Sequence, residues 1–354
     1  MKKISEKSFG TRDFIKFIAV GMLMVAMVGF PNTSQAAEKY RFKFVTHEPA
    51  TSFTTRALWF YWCDRVEQLS AGAIKFDRYP GEILVKGQDS YEAVRDGIVQ
   101  SGLVIVPWEA GQMPLATIKE LPFSFVSITK HNEMVHKFLE AGLQDYFHNL
   151  GFHYMVDATN PAYGFWTNKK WGPIRRLEDL KGCKIRSPGG YISKALEAMG
   201  ATPVTIPSPE IYTAMERGTI DGNSTVESAN IAFRLHEVTA YITRSNYGTT
   251  GAPIGINLKV WNSLPKDIQK IMEQAGRDAE AYHAKENDKY EKEVIDPTVL
   301  KYGIQIIPLS KQEKERMKKA CAPVWDEWLA KNGNIFKGLG KKLFDIVVKD
   351  VGRP

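Results

Sequence analysis

The 354-residue sequence has few cysteines and histidines, and it lacks every short motif on which common enzyme chemistry is built. Only three cysteines occur, Cys63, Cys183 and Cys321, and no two form a CxxC. An odd number cannot all pair within the chain, so a disulfide framework is not the basis of the fold. All three lie in apolar segments and read as small buried hydrophobes; one bond between two of them stays open. The seven histidines are scattered. His131 and His136 are five residues apart, as are His148 and His153, whereas two ligands on one helix face need i, i+4. No metal set and no cofactor is expected. GxSxG, HExxH, a P-loop and GxGxxG are all missing, so an enzyme reading finds no nucleophile, base or phosphate cradle.

A strong charge imbalance is missing too. Residues 1–36 carry five of the 47 Lys+Arg and two of the 40 Asp+Glu, which leaves the remainder at net +4. That balance does not call for nucleic acid. Long apolar runs are also scarce. The 14 residues Phe17–Phe30 are uncharged, too few to cross a bilayer comfortably. They follow Lys2, Lys3, Lys7, Arg12 and Lys16 and precede Pro31 and Ser34-Gln35-Ala36. Basic region, short apolar core and small-residue site are the parts of a cleavable signal peptide, 1–36, cut after Ala36. An exported protein located in the periplasm is the expectation.

What remains alternates between strand and helix signals. Tyr40–Val45 alternates as a strand, and Leu58, Tyr61, Trp62, Val66 and Leu69 recur at helical spacing up to Gly72. Ile74–Tyr79 is a second strand, Tyr91, Val94 and Ile98 mark a helix, and Leu103–Val106 is a compact apolar strand. β-α-β-α-β predicts an α/β lobe with right-handed crossovers. From Leu177 the logic repeats: strand Cys183–Arg186, helix Ile192–Met199, strand Pro203–Ile206, helix Pro209–Arg217. Tyr91–Val99 and Tyr212–Ile220 share the pattern Tyr-x-Ala-apolar-x-x-Gly-x-apolar, a helix ended by a glycine that can take positive φ before a buried strand. Two related lobes would face each other across a cleft. Leu264–Tyr290, with Ser263 as its cap and Pro265 in its first turn, is long enough to cross between lobes. A short strand at Gln305–Pro308 and a helix at Ser310–Asn332 follow.

Arg186 is the leading binding residue. It ends a buried-looking strand, where side chains project into the crevice of such folds, and its planar fork suits a carboxylate or sulfonate. The alternative is a surface arginine paired with Glu178 or Asp179. His47-Glu48 follows the first strand, at a similar position, or else is an exposed loop pair.

The segment Leu177-Glu178-Asp179-Leu180-Lys181-Gly182-Cys183-Lys184-Ile185-Arg186 resembles the DLKGxKIR signature of the solute-binding proteins of TRAP (tripartite ATP-independent periplasmic) transporters. Gly200–Val204, Glu210–Met215, Gly218–Gly222 and Trp261–Pro265 match later family segments in order. The resemblance covers essentially the whole chain after the signal. It implies a two-lobed α/β periplasmic binding protein with an inter-lobe ligand cleft and a long C-terminal helix spanning both lobes. The expected division is 37–160 for the first lobe, 161–250 for the second and 251–354 for the hinge strand, spanning helix and C-terminal helices. The family's carboxylate-clamping arginine falls on Arg186. The position where many relatives carry asparagine falls near Asn223-Ser224-Thr225, with Thr225 at the equivalent, which leaves the second polar contact open. A second basic residue of some relatives would fall at Phe165-Trp166; these aromatics disfavour a second ligand carboxylate there, and either pack on the ligand or belong to the core. Glu82, past the Pro80-Gly81 turn, completes the candidate set. The implied ligand is a small organic anion, a monocarboxylate first and a small sulfonate second. The implied partners are the small and large integral-membrane subunits of the transporter. An ABC-type binding protein or a ligand-sensing adaptor would share lobes, cleft and export signal.

Overall fold

The computed structural model describes residues 38–159 and 163–354; the expected signal peptide lies outside the described residues. Two sheets organise the chain. The first contains β1 (Tyr40–Val45), β2 (Ile74–Tyr79), β3 (Ser101–Leu103), β4 (Phe152–Asp157) and β10 (Pro253–Asn257), in the order β2-β1-β3-β10-β4. β1 runs parallel to β2 and β3, and β10 lies antiparallel between β3 and β4. The second sheet has the order β11-β9-β5-β8-β6-β7, from β5 (Phe165–Thr167), β6 (Lys184–Ser187), β7 (Thr202–Thr205), β8 (Gly222–Asn223), β9 (Tyr241–Thr243) and β11 (Gln305–Ile307). The chain therefore crosses between lobes after β4, returns before β10, and crosses again before β11.

Apolar periodicity places the helices. α1 (Tyr61–Leu69), preceded by a π-helical turn at Thr55–Phe60, buries Trp62, Cys63 and Val66 against the first sheet. The repeated nine-residue pattern has one structural meaning in both lobes. α2 (Ser90–Arg95) and Ile211–Glu216 are each six residues long, each passes a positive-φ glycine, Gly97 or Gly218, and each leads into an inner strand, β3 or β8.

The spanning helix runs Lys266–Tyr290. Its 25 residues reach about 38 Å at 1.5 Å per residue. Met272, Ala275 and Ala279 pack in the first lobe's core. The π-helical turn that continues it carries Ile295 onto Trp166 and Ile242 of the second sheet. Among the described residues no helix is long and apolar enough to cross a membrane.

Four expectations need correction. Ser263 does not cap the long helix; it closes the short helix Leu258–Ser263, and Pro265 precedes the first turn. Ile98 lies beyond α2 and is exposed, because the glycine stop comes one residue earlier. Ser310–Asn332 is two helices, Lys311–Ala320 and Ala322–Asn332, since Pro323 cannot supply the N–H that would continue the first. The apolar strand at 103–106 leaves the ladder after Leu103, although Val104 N and Val106 N still donate to Pro253 O (2.9 Å) and Gly251 O (3.1 Å). The three cysteines are buried and free.

Candidate functional site

Arg186 is the penultimate residue of β6 and is 1% exposed, one of the largest fully buried side chains among the described residues. Its Nε–H donates to Ile206 O at 2.9 Å and Nη2 to Ser208 Oγ at 3.3 Å. Those bonds fix the guanidinium at the carboxyl ends of β6 and β7. Glu178 and Asp179 do not pair with it: Glu178 binds Arg316, and Asp179 binds Arg176. Among the described residues Arg186 is in no ion pair, so a buried cation lines the cleft without a counter-charge. Burial alone lowers its pKa to about 10, which leaves it charged near neutrality.

The cavity that Arg186 lines lies between the lobes. The first lobe contributes His47, Glu48, Trp59, Ile105 and Trp108; the second contributes Tyr163, Pro188, Ser208, Thr225, Val226 and Ala229; the connecting segment contributes Thr250 and Ala252. Little space is left: water-sized molecules can place their centres in about 50 Å³. The walls are largely aromatic and aliphatic, with polar groups at a few points, the usual composition of a small-molecule site.

His47 and Glu48 follow β1 directly and are buried, not exposed. The His47 ring sits edge-on to Trp108 at 5.1 Å and parallel to Phe233, across the cleft, at 6.4 Å. Burial, reinforced by Arg186, pushes its pKa down to about 3, so the imidazole is neutral. Glu48 accepts a short hydrogen bond from Ser52 Oγ, and burial pushes its carboxyl up to about 7. Three buried nitrogens on this wall have no hydrogen-bond partner: His47 Nδ1, Trp59 Nε1 and Trp108 Nε1. Such groups cost free energy unless something satisfies them.

The remaining candidates separate. Thr225 lines the cavity, as expected. Asn223 does not: its amide turns to Met215 Sδ at 3.2 Å. Phe165 and Trp166 are core residues. Phe165 stacks on Tyr247 at 5.3 Å, and Trp166 packs with Ile242, Ile295 and Val299. Consecutive strand residues face opposite sides of a sheet, and both of these sides are covered here. Glu82 lies behind the cavity wall, where its Oε1 accepts from Gly87 N at 2.8 Å. Sequence reasoning missed Trp59, Trp108, Tyr163, Ser208 and Thr250. Trp108 had a signal, since it closely follows an inner parallel strand on the side where ligands bind in such sheets. Trp59 had none, because its spacing also fits the core face of a helix.

Two α/β lobes closing on a buried, uncountered arginine define the class: a two-lobed solute-binding protein. Residues 44–332 match the family model of bacterial extracellular solute-binding protein, family 7, and the chain belongs to that family, the solute-binding proteins of TRAP transporters. A solute-binding protein of Albidiferax ferrireducens is 29% identical over 274 residues, 75% of this chain and 79% of the relative. The fold is shared with a TRAP solute-binding protein of Rhodoferax ferrireducens solved with copurified benzoate, with TM-score 0.79, 23% identity and coverage of 88% and 97% of the two chains. It is also shared with a Bordetella pertussis extracytoplasmic solute receptor that binds pyroglutamic acid, with TM-score 0.78, 22% identity and coverage of 87% and 99%.

Proposed function

We propose that this chain is the extracytoplasmic receptor of a TRAP transporter and captures a compact monocarboxylate in the inter-lobe cavity. The carrying observation is Arg186, buried, charged and in no ion pair among the described residues. A carboxylate there makes charge-assisted bonds and offsets the desolvation of the guanidinium. A single basic side chain among the lining residues favours one carboxylate over two. The unpartnered nitrogens of His47, Trp59 and Trp108 on the opposite wall favour a second polar atom on the ligand, such as an oxo, hydroxyl or lactam oxygen. Exported to the periplasm, the closed, loaded form would be the one presented to the two integral-membrane subunits.

The test is a thermal-shift and calorimetric screen of residues 37–354 against monocarboxylates, dicarboxylates, sulfonates and neutral sugars. The expected result is stabilisation of a few degrees by monocarboxylates at saturating concentration. Arg186→Ala should then lower affinity by about 2–5 kcal/mol, the cost of breaking a buried charge pair. Stabilisation by sulfonates instead would keep the receptor and change its ligand. Stabilisation by neutral sugars alone would remove Arg186 as the anchor.

A further inference from the structure

A second polar cluster lies at the opposite end of the first lobe. His148 lies in the last turn of the helix Gln144–Asn149, and His153 is the second residue of β4. The five-residue spacing that excludes a shared helix face does not matter here, because the chain turns at Gly151 from helix to strand and brings the rings together. His148 Nε2 and His153 Nδ1 are 3.0 Å apart, and the Gln144 side-chain amide lies 3.1 Å from the first and 2.5 Å from the second. His153 pairs with Ile256 of β10, which in turn reaches Ser101 at the start of β3. The cluster therefore sits at the start of these strands, whereas Ile105 and Trp108 line the cavity beyond the end of β3.

No assignment of protons satisfies this triangle. If the amide N–H groups donate to both imidazoles, two nitrogen lone pairs face each other. If one imidazole donates to the other, its N–H faces the amide N–H. Exchanging the amide oxygen and nitrogen, which is a choice made from the hydrogen-bond network, moves the conflict without removing it. With the amide as placed, Gln144 Oε1 is buried without a partner. His153 is further held by Trp261, whose ring stacks on it at 3.7 Å.

A cation resolves the conflict, since two imidazole lone pairs and the amide oxygen can all point at one centre. We infer that Gln144, His148 and His153 form a binding site for a borderline divalent cation, of which zinc, nickel and copper are the candidates by donor type. Tetrahedral zinc with bonds of about 2.0–2.1 Å sets its donors about 3.3 Å apart, so two sides of the triangle open by a few tenths of an ångström and the short Gln144–His153 side, 2.5 Å, by about 0.8 Å. No cluster of three or more His, Cys, Asp or Glu among the described residues could hold a metal; here the third donor is an amide. His148 and Gln144 are only partly buried, which leaves an entry path and open positions for water. The cation would staple the end of the helix to the edge strand β4.

The test uses tag-free, chelator-treated residues 37–354, titrated with zinc chloride in a calorimeter and with cobalt chloride in an absorption spectrometer. The expected result is one equivalent bound, visible cobalt d–d bands, and a raised melting temperature. His148→Ala and Gln144→Leu, at partly exposed positions, should each weaken binding at least tenfold while the metal-free melt stays near wild type. His236→Ala, at a histidine outside the cluster, should bind as wild type does. No saturable binding, or binding unchanged in His148→Ala, would overturn the assignment.

Discussion

At the scale of single residues, the cleft combines groups whose charges are set by burial. Arg186 stays cationic and His47 stays neutral, so the cavity presents one positive charge. Glu48 is the conditional group. Its carboxyl titrates at about 7 in the folded chain against 4.5 for the free side chain, because burial penalises the anion more than Ser52 stabilises it. The folded state therefore holds more protons than the unfolded state between these values, and stability falls as pH rises through that window, by at most about 3 kcal/mol. Glu48→Gln should flatten part of this decline in urea unfolding compared at about pH 5 and about pH 8. The flattening is partial because Glu120, raised to about 8, contributes with the same sign. An unaltered pH slope in Glu48→Gln would show that this carboxyl is not a source of the decline.

At the scale of elements, the helix Gly190–Ala198 follows the anchor strand and is met at its N-terminus by Glu120 of the segment Pro114–Glu120. Glu120 Oε2 accepts from Tyr191 N at 2.8 Å, and the carboxyl is fully buried. Gly190 has φ of 56° and no side chain, and a Cβ there would collide with Glu120 Oε2. The contact thus fixes the start of the helix three residues after Ser187. Glu120→Ala should destabilise the chain by about 1–3 kcal/mol, the cost of an orphaned buried N–H. Glu120→Gln, which keeps a carbonyl acceptor, should lose less. Chemical unfolding of the two variants separates acceptor from bulk, and equal losses would argue against the hydrogen bond as the cause.

At the scale of the whole molecule, the sheets belong to separate cores, while the Lys266–Tyr290 helix and the segments on either side of the cleft join them. Ligand should shift the population towards the closed arrangement to the extent that it binds that arrangement better. Small-angle scattering of the ligand-free chain should give a larger radius of gyration than the monocarboxylate-saturated chain. Arg186→Ala at the same ligand concentration should stay at the larger value. Identical scattering with and without ligand would mean that closure does not depend on the anion.

Much of this architecture was legible from local pattern. The strands Tyr40–Val45 and Ile74–Tyr79, the repeated helix-glycine-strand unit and the length of the spanning helix all follow from periodicity and stop signals, which depend on neighbouring residues alone. Arg186 was legible for the same reason, as a charged residue ending an apolar strand. Only the tertiary structure decided which side chains share the cavity. Asn223 lies on the strand beside the anchor strand and Phe165 and Trp166 on the next strand over, yet their side chains enter the core, because facing depends on strand pairing across roughly 40 to 80 residues of sequence. Trp59, Tyr163 and Thr250 come from three separate segments and are brought together only by the fold. His148 and His153 also follow this rule: a spacing wrong for one helix becomes close contact once a turn places the rings on two elements.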